Sequence, residues 1–250
     1  MSVAGIWTNE YGSRMELWAQ DDGVILGRYA STTGSTGEYA VRGHAGPVAA
    51  TPAAGQPLAL AICWHSIVPG PADPSWEWCS GLSGQITLRD GVPEMVLTHA
   101  LVASSAFPGL VEAGTLIDRL TYRRMGEAGP LRLPPPAASG QADSPLTGRW
   151  TDGEGMQVRL RSHPAAGYDL VDGLLARSGP EGAVTGFAGR GDVLSLALTA
   201  RLPDGSVVAY AGTLPAGSDM LSLIELVSTA TPPDSTYLQT RVNGRNWRRG

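Results

Sequence analysis

Residues 5 to 35 read GIWTNEYGSRMELWAQDDGVILGRYASTTGS, and the alternation within this stretch decides the fold. The DDG sequence at 21–23 is typical of a hairpin turn, and a second strand is predicted from Val24 to Ser31. Because successive side chains of a strand point to opposite faces, every second residue shares a face. The inward face is predicted to carry Trp7, Asn9, Ser13, Met15, Leu17, Tyr29 and Ser31.

Four residues of this face are polar, although a buried face normally carries apolar side chains: Asn9, Ser13, Tyr29 and Ser31. Left unpaired in an apolar interior, each would cost about 1–3 kcal/mol. They can satisfy one another or the backbone, or they can bind a small planar ligand that offers a carbonyl and N–H groups. The presence of four such groups together favours the ligand.

Short apolar runs separated by turn residues continue along the chain, and no amphipathic helix of ordinary length interrupts them. Further predicted strands are Glu38–Gly43, Pro57–Trp64, Cys79–Leu88, Val92–Val102, Thr115–Arg123, Leu194–Ala200 and Met220–Val227. Many strands at regular spacing predict an all-β sandwich or barrel, and periodicity alone does not distinguish the two.

The chain also contains an internal repeat. GIWT at 5–8 returns as GRWT at 148–151, and YRR at 122–124 returns as WRR at 247–249. The stretch EAGPLRLPPPAASGQADSP between the copies is rich in Pro, Ala and Gly and has no periodicity, which is typical of a linker. We therefore predict a first domain at 1–126, a linker at 127–145 and a divergent copy at 146–250.

Three motifs of the first half resemble the opening of avidin and streptavidin, the biotin-binding barrels: GxWxN at 5–9, GS at 12–13 and GxYxS at 27–31. SGLSGQ at 80–85 is similar to the family's T-x-[WF]-[ST]-G-Q, and the likeness covers most of residues 5–122. The resemblance implies an eight-stranded antiparallel up-and-down barrel in each half. It also implies biotin as the bound ligand and no other cofactor.

The resemblance assigns roles to individual residues. The ureido oxygen of biotin would be held by Asn9, Ser13 and Tyr29. The other implied pocket positions are Ser31 for one ureido N–H, Ser35 for the carboxylate tail, Trp64 as a wall and Ser80 near the thioether sulfur.

Several positions depart from the family pattern. Leu82 stands where an aromatic residue is usual, and His99 stands at a second pocket tryptophan. Leu120 falls where avidins carry the Asp or Asn that binds the other ureido N–H, unless a register shift puts Asp118 there. Glu112 replaces the tryptophan that reaches into a neighbouring subunit. These changes imply weaker binding and do not favour the usual tetramer.

The second half keeps the scaffold residue Trp150 and changes the four polar pocket positions to Asp152, Met156, Leu175 and Arg177. We expect it to lack a biotin pocket and to pair with the first barrel as an intramolecular pseudo-dimer, with further homo-oligomers left open. Tyr237 resembles the tryptophan that caps a neighbour's site, so it is a candidate lid. An anion near Arg177 or Arg245 is the alternative ligand of this half.

Composition excludes several function classes. The net charge is -5, the basic residues are scattered arginines, and no run of about 18 apolar residues occurs, so neither nucleic acid nor a membrane is an expected partner. The 4 His and 2 Cys lack metal-ligand spacing, and no serine lies in a G-x-S-x-G motif. We expect a non-catalytic biotin-binding protein. The alternatives are a barrel for another small cyclic amide or apolar ligand, and a structural pairing module.

The two cysteines offer a cross-strand pair. If Trp64 and Ser80 point inward, as the resemblance implies, the preceding Cys63 and Cys79 point outward on neighbouring antiparallel strands. We expect a disulfide between them, and the alternative is two reduced surface thiols in a cytosolic protein. The disulfide would indicate a secreted protein, although no signal peptide is visible in the chain.

Overall fold

The computed structural model describes residues 2–32, 36–106, 112–131, 144–165, 167–177, 179–237 and 240–250. The first half is a closed antiparallel barrel in which each strand pairs with the next and the last pairs with the first. Its strands are β1 (Gly5–Asn9), β2 (Arg14–Ala19), β3 (Val24–Ser31), β4 (Gly37–Ala45), β5 (Gln56–Cys63), β6 (Cys79–Arg89), β7 (Val92–Ala103) and β8 (Gly114–Gly126). A single-turn 3₁₀ helix, Pro74–Glu77, lies between β5 and β6.

The second half is a closed barrel with the same strand order. Its strands are β9 (Gly148–Thr151), β10 (Met156–Pro164), β11 (Tyr168–Arg177), β12 (Gly182–Gly189), β13 (Val193–Arg201), β14 (Val207–Pro215), β15 (Met220–Ser228) and β16 (Thr240–Arg249). The prediction of an all-β fold with two tandem eight-stranded antiparallel up-and-down barrels is confirmed.

The ends of β8 and β9 lie close to the predicted domain boundaries, since β8 ends at Gly126 and β9 begins at Gly148. Residues 132–143 of the predicted linker lie outside the described residues, so its bounds stay a prediction. Within the described part of the chain, no helix has the length and apolarity needed to span a membrane.

Each barrel is organised around a buried tryptophan on its first strand. Alternate residues of β1 are buried, which confirms that Trp7 and Asn9 share the inward face. The Trp7 indole N–H donates to the carbonyl of Val3 at 3.0 Å, and Trp150 makes the same bond to Leu146 at 2.9 Å. This repeated hydrogen bond ties the segment before the first strand to the core in the same way in both barrels. The core around Trp7 includes Met15, Leu17, Ile25, Val41, Leu58, Leu60, Ile62, Ile86, Met95 and Leu97.

The two barrels touch through one broad face each, strands β4–β7 of the first and β12–β15 of the second, which we call the barrel contact. The packing is reciprocal, because β4 lies against β13 and its counterpart β12 lies against β5. Small residues dominate this contact: Ala59, Ala61, Gly81, Ala100, Ala197, Ala209 and Ala211. A Cβ placed on Gly81 would lie 3.1 Å from that of Ala211, so the two sheets approach closely.

Polar pairs also cross the barrel contact. They are Arg42 with Asp172 (2.9 Å), His44 with Thr199 (3.0 Å), Ser83 with Ser228 (2.8 Å) and Gln85 with the Thr231 N–H (3.0 Å). A buried polar group without a partner costs about 1–3 kcal/mol, so sliding one barrel against the other would break these pairs at high cost.

His44 is the most deeply buried histidine of the contact, at 4% exposed. The hydroxyl of Thr199 donates to the Thr185 carbonyl at 3.4 Å, so its oxygen accepts from His44 Nδ1–H. Burial, together with the nearby Arg201, lowers the pKa of His44 to about 4, although Asp22 opposes the shift. The ring is therefore neutral in the folded protein near neutral pH.

Cys63 and Cys79 lie directly opposite each other on β5 and β6. They point outward from the first barrel, as predicted, but they are buried in the barrel contact against Phe187 and Ala197. The alternative of surface thiols is therefore wrong. Both are free cysteines in this structure, where burial and the neighbouring Cys79 raise the pKa of Cys63. The disulfide stays a prediction.

Intact mass measurement tests this disulfide. Directly opposite residues of antiparallel strands have Cα atoms about 4.5 or 5.5 Å apart, which lies within the range of disulfides. Closing a loop of about 16 residues restricts the unfolded chain by about 3 kcal/mol. Protein unfolded without reductant should therefore take up no iodoacetamide, whereas a Cys63→Ala control should take up one equivalent. Two adducts on the unreduced wild-type chain would rule the disulfide out.

His44 predicts acid sensitivity. Between pH 6.5 and about 4 the unfolded chain binds a proton at this ring and the folded protein does not. The free energy of unfolding should therefore be highest above pH 6.5 and fall as the pH drops to 4. His44 accounts for up to about 3 kcal/mol of this loss, and His99, whose pKa is also lowered to about 4, adds to it. Urea unfolding at each pH measures this loss. It should shrink in His44→Gln and persist in His163→Gln, whose ring is half-exposed. Equal pH slopes in His44→Gln and the wild type would contradict the assignment.

Candidate functional site

The predicted polar face lies at one end of the first barrel, where β1, β3, β5 and β7 finish, and we call this end the first mouth. Asn9 and Ser31 end β1 and β3, and Ser13 directly precedes β2. Asn9 is 7% exposed, Ser13 2% and Tyr29 5%, while Ser31 is half-buried. The structure therefore brings these four predicted residues to one end of the barrel.

The turn between β1 and β2 orients the Asn9 amide. Its Oδ1 accepts the backbone N–H of Tyr11 at 3.1 Å and that of Ser13 at 2.9 Å. Because the oxygen is engaged by two backbone donors, Nδ2 faces the interior, where the hydroxyl of Tyr122 is its neighbour. Asn9 therefore presents hydrogen-bond donors to the first mouth.

Trp64 forms an aromatic wall just beyond the end of β5. Tyr29 and Tyr39 meet its ring edge-on, with centroids 5.7 and 4.9 Å away. Its indole N–H donates to the hydroxyl oxygen of Ser80 at 2.8 Å. Edge-to-face contacts and one directional hydrogen bond together fix the ring plane.

Ser80 links this wall to His99, since its Oγ lies 2.8 Å from His99 Nε2. Burial lowers the pKa of His99 to about 4, and Asp118 opposes the shift, so the ring is neutral near neutral pH. Leu82 lies directly opposite His99 and is 1% exposed. The hydrogen-bonded side chains of Trp64, Ser80 and His99 therefore line one side of the first mouth, together with Leu82.

The register of β7 and β8 locates Leu120 and Asp118. Leu120 lies opposite Leu97 and is 6% exposed, whereas Asp118 lies opposite His99 and is exposed. Both share the inward parity because they are two residues apart. Leu120 therefore holds the inner position, where its side chain offers no hydrogen bond. Asp118 lies nearer the start of β8, which is the end of this strand at the first mouth.

Three other predicted positions do not join the described site. Ser35 lies outside the described residues, and Glu112 is exposed. Tyr237 is 82% exposed, and the loop before it meets the first barrel through Thr231 and Gly55, at the start of β5. That is the end opposite the first mouth. The structure does not bring Tyr237 over the pocket, and its role as a lid stays an untested prediction.

The sequence reasoning missed Tyr39 and Tyr122. Tyr122 is fully buried, and it is the direct partner of Asn9 in the pairing of β1 with β8. It shares the inward face of β8 with Leu120. This shared face could have revealed Tyr122 from the sequence, because Tyr122 lies two residues beyond Leu120, which was already placed in the pocket.

The second barrel repeats the Asn9 turn with an acid. Asp152 Oδ1 accepts the N–H groups of Glu154 at 2.8 Å and Met156 at 3.0 Å. Burial alone would raise the pKa of Asp152, but these two hydrogen bonds and Arg177 lower it overall. The side chain therefore presents a carboxylate oxygen where Asn9 presents an amide N–H.

An ionic cluster lines the second mouth beside a cavity of about 350 Å³, whose wall includes Arg177, Glu225 and Arg245. Glu225, at 1% exposed, accepts from Arg245 at 3.0 Å, from Asn243 at 3.0 Å and from Tyr210 at 3.3 Å. Arg177 lies 3.5 Å from Asp152 and 3.7 Å from Glu225. Both arginines proposed for an anion are thus already paired with carboxylates. Register makes Tyr210 and Glu225 the counterparts of Leu82 and His99.

No metal site is evident among the described residues, because no three His, Cys, Asp or Glu side chains lie close enough together to hold a metal ion. The first mouth instead gathers amide, hydroxyl, imidazole and indole groups, which recognise a neutral polar ligand.

A model of the Avidin family matches residues 1–101. No curated protein matches the chain. The match spans β1 to β6 and most of β7, which carry every described first-mouth residue except Leu120 and Tyr122 on β8. The first barrel is therefore similar to the avidin family, and the two closed eight-stranded barrels are consistent with a tandem avidin-like protein.

Proposed function

We propose that this protein is a non-catalytic biotin-binding protein that holds its ligand in the first barrel. The family match supports a ligand-binding function. The second barrel serves as the partner in an intramolecular pseudo-dimer.

The observation that carries the proposal is the orientation of Asn9. Its oxygen is held by the Tyr11 and Ser13 N–H groups, so its amide N–H groups are directed inward, towards the buried side chains of Tyr122 and Tyr29. A ureido oxygen accepts several hydrogen bonds at once, and it would pair donors that are otherwise costly to bury.

The first mouth also offers apolar cover for the rings of biotin. Trp64 is held upright by Tyr39 and by its bond to Ser80, and Leu82 lies on the neighbouring strand. Leu82 covers less area than an aromatic ring would. We therefore expect weaker binding than a pocket with an aromatic residue there would give.

The second mouth is expected to exclude biotin. Asp152 directs a carboxylate to the place where Asn9 directs a donor, so it would oppose the ureido oxygen. Glu225 and Arg245 are bonded to each other, and a ligand would have to break this buried pair. Breaking a buried pair costs about 3–5 kcal/mol, which disfavours a second site.

The reciprocal barrel contact supports the pseudo-dimer. Counterpart strands pack in both directions across it, as in an isologous dimer of identical subunits. A tandem chain makes this contact without a second molecule.

Leu120 favours a second candidate ligand, a cyclic amide with a single N–H. Its buried aliphatic side chain cannot accept a hydrogen bond, so the second ureido N–H of biotin gains nothing at that position. A lactam that keeps the carbonyl and one N–H would therefore lose little binding free energy relative to biotin at that position.

Calorimetry with biotin tests the proposal through Asn9→Asp. The substitution keeps the oxygen that accepts the Tyr11 and Ser13 N–H groups and replaces the inward donor with a carboxylate. A lost hydrogen bond and a mismatched buried charge together cost about 3 kcal/mol, so the Kd should rise about 100-fold. Asn246→Asp makes the same chemical change at an exposed site of β16 and should leave the Kd unchanged.

Absence of binding heat from the wild-type chain at high protein concentration would remove biotin as the ligand. Tight binding that survives Asn9→Asp would show that the ligand is held elsewhere. Binding of a lactam with an affinity above that of biotin would favour the second candidate.

A further inference from the structure

Tyr122 occupies the floor of the first barrel. It is fully buried, it pairs with Asn9 across β1 and β8, and it pairs with Met95 across β7 and β8. Its ring belongs to the same core cluster as Trp7 and Tyr29. The side chain therefore sits directly beneath the groups that face the first mouth.

The hydroxyl of Tyr122 has no hydrogen bond of good geometry with any residue in the described part of the chain. Its polar neighbours are Tyr29 and Asn9, and burial together with Tyr29 raises its pKa well above the usual value. The hydroxyl is thus neutral and able to donate, and neither neighbour meets it with the geometry of a good hydrogen bond. A buried donor of this kind is uncommon in folded proteins and calls for a partner.

We propose that Tyr122 is a ligand-binding residue whose hydroxyl donates a hydrogen bond to the carbonyl oxygen of the bound cyclic urea. This inference rests on the proposed biotin function and extends its site. Asn9 and Tyr122 are direct strand partners, so both reach the same buried space. A ureido oxygen accepts several hydrogen bonds at once, so Tyr122 would add a donor to those of Asn9, Ser13 and Tyr29.

The second barrel provides a comparison at the equivalent position. Trp247 also has an indole N–H with no partner among the described residues. Tyr210 lies edge-on against that ring, with centroids 4.7 Å apart, whereas the counterpart of Tyr210 in the first barrel is the smaller Leu82. Tyr210 therefore packs on the ring that carries the donor in the second barrel, and the shorter Leu82 stands at that position in the first barrel.

Calorimetry with biotin and thermal unfolding of the free protein, both on Tyr122→Phe in the full chain, test the inference. Loss of one hydrogen bond to the ligand should raise the Kd about 10-fold. The melting temperature without ligand should not fall, because the hydroxyl has no partner to lose. Tyr210→Phe is the matched control. It removes a hydroxyl that donates to Glu225, so it should lower the melting temperature and leave the Kd unchanged.

The outcomes separate this inference from the proposed function. Biotin binding by the wild type with an unchanged Kd in Tyr122→Phe overturns the role of Tyr122 and leaves the function standing. A lower melting temperature with an unchanged Kd assigns the hydroxyl to internal structure and also overturns the inference. No binding by the wild type removes the function and the inference together.

Discussion

The interior of a small β-barrel forces every polar group that enters it to find a partner, and the two barrels of this chain answer that requirement differently. Both use one turn, in which the Oδ1 of Asn9 or Asp152 accepts two backbone N–H groups. In the second barrel the remaining carboxylate oxygen is met by Arg177, which also lies close to Glu225. In the first barrel the remaining amide N–H groups of Asn9 lie near the Tyr122 hydroxyl, and the ligand carbonyl that we propose would pair with both.

The barrel contact is consistent with the proposed pseudo-dimer, in which the second barrel keeps its pairing surface although its mouth differs. Alanines and Gly81 allow the sheets to approach closely, and the cross-barrel bonds of His44 and Arg42 fix their orientation. These residues lie on outward faces, whereas the pocket residues lie on inward faces of the same strands. Strand alternation thus lets the second barrel lose the pocket chemistry and retain the surface that pairs with the first.

Strand alternation is a local signal, so it predicted the strands and the inward face of β1, whereas the resemblance to the avidin family decided for a barrel over a sandwich. Trp7 and Asn9 share the buried face, and β3 has the predicted bounds. The pairing of strands that are distant in the sequence could not be predicted from alternation. Tyr122 meets Asn9 only because β8 closes the barrel onto β1. Cys63 was predicted to point outward, but an outward position does not reveal that a second barrel covers it. The exposure of Tyr237 likewise depends on a loop path that no periodic pattern encodes.

The number of biotin molecules per chain tests the account most directly, because the account makes one barrel a binding site and the other a closed scaffold. Native mass spectrometry of the full chain, at biotin concentrations rising well past saturation of the first site, measures that number. The account predicts one biotin per chain, with the bound species lost at low ligand when Asn9 is replaced by Asp. Two tightly bound biotins per chain would contradict it, since the ionic cluster around Glu225 would then have failed to close the second barrel.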